Sequence, residues 1–169
     1  YNGPVTAPVA AGGLVFVCDR DRHRIVALDA NTGKQRWAFR TGGRVLTTPT
    51  YARGRLVFGA RDGNVYTVDA ATGELVWRFF AAPRRERVVA FGQLESPWPL
   101  HGCVLVDDDG VWAIAGRHND LDGGLWWWNL DPLTGEGMYF AITSGTLAGR
   151  HASRLRGRGL NFEELRGYL

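Results

Sequence analysis

Lysine, methionine and cysteine are almost missing from this sequence. Lys34 is the only lysine among twenty basic residues, so the basic balance (net charge +3, isoelectric point near 9.2) is carried by arginine. The arginines are scattered rather than gathered into one stripe, and a nucleic-acid groove would cluster them and mix them with lysine, so nucleic-acid binding is not expected. Cys18 and Cys103 are the only cysteines; they lie too far apart in sequence for a zinc or thiol-redox motif and at positions that do not correspond in the repeat described below. No apolar run approaches the 18 residues of a membrane-spanning helix. No nucleophile elbow and no phosphate-cradling loop occurs either. No cleavable export signal is visible, and because the chain opens on Tyr1, a preceding segment is expected.

What is present is repetition. Ala27-Leu28-Asp29-Ala30-Asn31-Thr32-Gly33, Thr67-Val68-Asp69-Ala70-Ala71-Thr72-Gly73 and Asn129-Leu130-Asp131-Pro132-Leu133-Thr134-Gly135 keep Asp, Thr and Gly at fixed offsets. Eight residues after each Asp stands a large aromatic: Trp37, Trp77 and Tyr139. Upstream, Ala7-Pro8, Thr48-Pro49 and Ser96-Pro97 each precede a short apolar segment, and Gly13, Gly54 and Gly110 each mark a turn before the next one. Val26 and Leu28, Tyr66 and Val68, and Trp128 and Leu130 alternate along their segments, which is strand patterning. The Asp side chain is suited to capping backbone N–H groups of a tight turn, and the glycine to a positive φ. The aromatic that follows is expected to plug the space between neighbouring sheets.

This pattern predicts an all-β fold of about three four-stranded antiparallel β-propeller blades, over roughly residues 5–45, 46–93 and 94–143. The extra length of the third copy falls in two stretches that read as loops, 81–93 and 117–123. Propellers close with about four to eight blades, so three make a partial propeller. Its open faces call for further blades, a protein partner or self-association. Residues 144–169 break the pattern with glycine and arginine in alternation and read as a linker or arm; Leu160–Leu169, capped by Asn161, reads as a short docking helix or as a frayed end.

Residues 27–37 and 67–77 resemble the repeat of pyrroloquinoline-quinone-like propeller proteins, similar to the bacterial outer-membrane assembly lipoprotein type. The resemblance covers about residues 5–142 and implies that the Asp, Thr, Gly and Trp positions dock blades and do not bind a quinone. It also implies an exported or periplasmic location. The family's enzymes use adjacent cysteines, a calcium ion on the quinone and an aspartate base. None of these is recognisable here, so neither a catalytic residue nor a bound cofactor or metal is expected. The function expected is a non-catalytic binding or scaffold module; the alternative is a fragment of a quinoprotein dehydrogenase.

A binding rim, if the chain has one, is sought in the third copy. Leu94 to Gly102 and Gly116 to Gly124 hold Glu95, Trp98, His101, Arg117 and His118, which converge at the channel mouth if both loops face it. Against this stands the plainer reading of satisfied blade residues and a long hairpin. Asp120-Leu121-Asp122-Gly123 has too few carboxylates for a calcium loop. In Trp126-Trp127-Trp128 the first and third rings share one sheet face, set for packing on a neighbouring blade or for stacking a ligand.

Overall fold

The computed structural model describes residues 5–142, and of residues 139–142 the backbone alone. The predicted tail and its helix lie outside the described residues. Three antiparallel sheets of four strands follow one another along the chain. The first holds β1 (Val9–Ala11), β2 (Leu14–Asp19), β3 (Arg24–Asp29) and β4 (Gln35–Arg40), in that order. The second holds β5 (Thr50–Ala52), β6 (Arg55–Gly59), β7 (Asn64–Asp69) and β8 (Leu75–Phe80). A separate hairpin, β9 (Val88–Ala90) and β10 (Gln93–Glu95), precedes the third sheet of β11 (Leu105–Val106), β12 (Val111–Ala115), β13 (Leu125–Leu130) and β14 (Gly137–Ile142). Part of the stretch read from sequence as a loop, 81–93, is therefore a strand pair. Its strands are three residues long, too short to show a period-2 signal.

The first strands of the sheets lie side by side, β1 against β5 and β5 against β11. The order within each sheet then carries the chain outward to β4, β8 and β14. Alternation along the strands of the middle sheet feeds two cores. Leu56, Phe58, Tyr66 and Val68 pack with Phe16, Ile25 and Ala27 of the first sheet. Val57 and Val65 pack with Leu100, Val111, Ala113 and Leu130 on the side of the third. Each fully buried large side chain contributes roughly 1.5–3 kcal/mol of transfer free energy, so the middle sheet is held from both faces.

The repeated turn joins the third strand of each sheet to the fourth. Asp29 Oδ1 accepts from the backbone N–H groups of Asn31 and Thr32 at 3.1 and 2.9 Å, and from the Thr32 hydroxyl at 2.9 Å. Asp69 and Asp131 accept the equivalent backbone bonds in their own turns. These bonds favour the charged form, and all three carboxyls are held below the ordinary aspartate value, with the backbone N–H of Thr32, Thr72 or Thr134 as the first cause. Gly33, Gly73 and Gly135 close the turns at φ of 68°, 76° and 73°.

The third sheet departs from the other two at its outer edge. Between β3 and β4 the register shifts so that Trp37 pairs with Ala27, and between β7 and β8 so that Trp77 pairs with Thr67. No shift occurs between β13 and β14, and Tyr139 pairs with Trp128 rather than with Asn129. The sequence offset of Tyr139 matches that of the tryptophans, but without the bulge its strand register is one residue away.

Candidate functional site

The chemistry-bearing side chains gather where the turn after β6 meets the segment after β10. Ser96 donates its backbone N–H to the Arg61 carbonyl at 2.8 Å, and Leu100 donates to Ala60 at 3.2 Å. Gly116 donates to Pro99 at 3.1 Å. Residues 95–100 are thereby clamped between the second and third sheets. Pro97 and Pro99 lack an N–H, which suits a segment tied through alternate residues.

Glu95 is completely buried there. Its Oε2 lies 2.8 Å from Arg61 Nε and 3.6 Å from Arg117 Nη2. Arg61 is itself 6% exposed. Burial comes first in holding the Arg61 guanidinium below its usual range, with the Glu95 charge opposing it. Arg117 also donates to the Pro97 and Ser96 carbonyls, at 3.3 and 3.4 Å. One carboxylate between two guanidiniums makes a charged lock across the sheet boundary, because neither a buried carboxylate nor a buried guanidinium is stable without its partner. His101 lies at the surface beside this lock. Partial desolvation first, then the charges of Arg61 and Arg117, hold its imidazole below the ordinary histidine value.

The structure thus brings Glu95 and Arg117 together and leaves His101 near their charges, while Trp98, on the same segment, donates its indole N–H to the Asp122 carbonyl at 2.7 Å. It does not bring His118 to them: that ring is exposed and lies 3.4 Å from Asp120. Trp128 sits in the seam between sheets, donating to the Ala81 carbonyl at 2.8 Å with its ring edge-on to Phe79 at 4.6 Å. Trp126 packs against the same core, and Trp127 lies on the opposite face against Trp112.

Sequence reasoning missed Arg61. A carboxylate between an apolar residue and Ser-Pro was the available signal, since a buried acid demands a cation. It also missed the hairpin over the lock. Arg61 lies 5.0 Å from the centre of the Phe91 ring at the hairpin tip, and Gln93 Oε1 meets His23 Nε2 of the first sheet at 2.7 Å.

A hard metal ion does not fit these residues. Such an ion takes six to eight oxygen ligands. Among the described residues no three His, Cys, Asp or Glu side chains lie together, and the one buried glutamate faces two cations. The two thiols, of Cys18 and Cys103, are both free, one buried and one exposed.

Comparison with known proteins follows this geometry. The family model described as outer membrane protein assembly factor BamB matches residues 2–110. The lanthanide-dependent methanol dehydrogenase of Methylacidiphilum fumariolicum (strain SolV) is 31% identical over 150 residues, covering 80% of this chain and 24% of that protein. The dehydrogenase subunit of the quinone alcohol dehydrogenase of Komagataeibacter europaeus is 40% identical over 158 residues, covering 82% of this chain and 20% of that subunit. The crystal structure of BamB from Moraxella catarrhalis superposes with a TM-score of 0.56 at 19% identity, over 80% of this chain and 35% of that one, which shows the shared fold. The chain spans about a quarter or less of the length of the curated relatives it matches. These relatives correct the expectation of no bound cofactor or metal: one is named for a quinone and another for a lanthanide. Among the described residues no helix is long and apolar enough to cross a membrane.

Proposed function

Because the chain belongs to the family of the outer membrane protein assembly factor BamB, we propose that it serves as a binding and scaffold arc within a larger propeller. In this reading its outer sheet faces seat further blades, and the rim around Glu95, Trp98, His101 and Arg117 meets a partner. An exported or periplasmic location goes with that reading.

One observation carries it. Each tryptophan of the repeat is seated on the turn of the next sheet, always in the same direction. Trp37 donates to the Ala70 carbonyl at 3.1 Å, and Trp77 donates to the Pro132 carbonyl at 3.1 Å. Ala70 and Pro132 are the residues directly after the turn aspartates. The rings lie where side chains on Gly73 and Gly135 would stand, since a Cβ built there meets Trp37 at 2.5 Å and Trp77 at 2.7 Å. The first turn has the same cap and a similar φ, but among the described residues a Cβ on Gly33 meets nothing within 4 Å. It is a seat of the same make facing outward, and a preceding blade or a second copy fits it.

Blocking that seat tests the proposal. Gly33→Asn keeps a residue that tolerates positive φ and places a side chain on the seat. It is expected to weaken self-association of the chain; unchanged association would count against the scaffold reading.

A second reading, in which the whole protein is a quinone-dependent alcohol dehydrogenase framed by these blades, is favoured by the two dehydrogenase relatives. It expects alcohol-dependent dye reduction when the complete protein is supplied with a quinone and a lanthanide, and no reduction would exclude it.

A further inference from the structure

Between the first and second sheets, away from the Glu95 lock, the structure holds a cavity of about 280 Å³. Four arginines, all of them exposed, line it: Arg40 from the end of β4, Arg78 from β8, and Arg85 and Arg87 from the segment after β8. None of the four forms an ion pair among the described residues. Glu86, which also lines the cavity, pairs with Arg84 at 3.2 Å.

The floor is set rather than open. Asp62 is buried and accepts the Tyr66 hydroxyl at 2.5 Å and the Asn64 backbone N–H at 3.1 Å. The Gly42 N–H donates to the Tyr66 oxygen at 3.3 Å, and a Cβ on Gly42 would meet Asp62 Oδ2 at 2.5 Å. Asp62 thus accepts from two neighbours and, among the described residues, has no guanidinium within ion-pair distance. Arg85 is held by its own wall, with its guanidinium 4.6 Å from the centre of the Phe80 ring. Burial first, then the Asp62 charge, pushes the Tyr66 phenol above its ordinary value, with the charge of Arg78 opposing them.

The geometry points to a binding site for a small multivalent anion, carrying carboxylate or phosphate groups. The four guanidiniums outnumber the two carboxylates of the lining, Asp62 and Glu86, and an anion with two or more charged groups offers acceptors to guanidinium forks. The volume suits a molecule smaller than most drug-sized ligands, whose pockets start near roughly 300 Å³. The site shares no residue with the Glu95 lock and does not depend on the blade-docking reading.

Calorimetric titration of the full chain with inorganic pyrophosphate and, separately, with citrate tests it. The expected result is saturable one-to-one binding of at least one of them, weakened about fivefold or more by Arg78→Gln and by Arg85→Gln. Arg22→Gln removes the same charge from an exposed side chain of the first sheet and is expected to leave binding unchanged. Preference for pyrophosphate over citrate, or the reverse, assigns the ligand to phosphates or to carboxylates. Absence of saturable heat with both probes, or equal weakening by Arg22→Gln, overturns the proposal. Should Arg78→Gln disturb β8 and lower the unfolding temperature, Arg85→Gln, which lies outside the strands, decides the outcome alone.

Discussion

Trp37 of the first sheet donates its indole N–H to the Ala70 carbonyl of the second at 3.1 Å, and its ring fills the space a Gly73 side chain would need. The turn glycine consequently answers two demands, a left-handed backbone and an empty face. The two can be separated, because Gly33 meets only the first.

Gly33→Ala is expected to cost about 1–2 kcal/mol, the strain of an alanine in the left-handed region. Gly73→Ala carries the same strain plus overlap with a rigid indole, and is expected to cost at least about 1 kcal/mol more. Urea denaturation of both variants measures the difference. Equal losses would mean that Trp37 does not dock on the turn.

The lock between Arg61 and Glu95 is expected to behave as a buried ion pair. Glu95→Gln leaves the Arg61 guanidinium without its counter-charge and is expected to destabilise by about 3–5 kcal/mol. Adding Arg61→Met to that variant is expected to recover part of the loss, read by a double-mutant cycle. Additive losses would remove the coupling.

Acid stability follows from the three turn carboxyls. Their pKa values are depressed in the folded state, so their contribution is complete above the unfolded value near 3.8 and is lost as pH falls through the lower folded values. Stability is therefore expected to hold at about pH 5 and to fall steeply below about pH 4. Titration of the Asp29, Asp69 and Asp131 carboxyl resonances checks the sign; values at or above the ordinary one would contradict it.

The two thiols are expected to differ in reactivity. Cys18 is fully buried, and burial pushes its thiol up to about 12, whereas Cys103 is exposed. A neutral-pH thiol reagent should label Cys103 in the native chain and both residues after unfolding. Rapid native labelling of Cys18 would place it outside the core.

The blades were legible in the sequence because their signals are local. The Asp29 cap, the Gly33 φ and the alternation of Tyr66 with Val68 act within a few residues, and each repeats. The seat on which each tryptophan rests was legible only as a plug between sheets, since its partners lie in the next copy. Arg61 was not legible as the partner of Glu95, because ion pairing between residues 34 positions apart leaves no periodic trace. The β9–β10 hairpin hid in a polar, arginine-rich stretch, with Val88, Val89 and Leu94 exposed rather than alternating into a core. Tyr139 misled by its offset: counting residues cannot show that the bulge found beside Trp37 and Trp77 is missing beside Trp128.

Sedimentation equilibrium of the chain over a wide concentration range, beside its Gly33→Asn variant, bears most directly on the claim that these three sheets are an arc with outward-facing seats. The expected result is concentration-dependent association above 18.7 kDa that the variant loses. A monomer at every concentration, cooperatively folded and indifferent to Gly33→Asn, would contradict it.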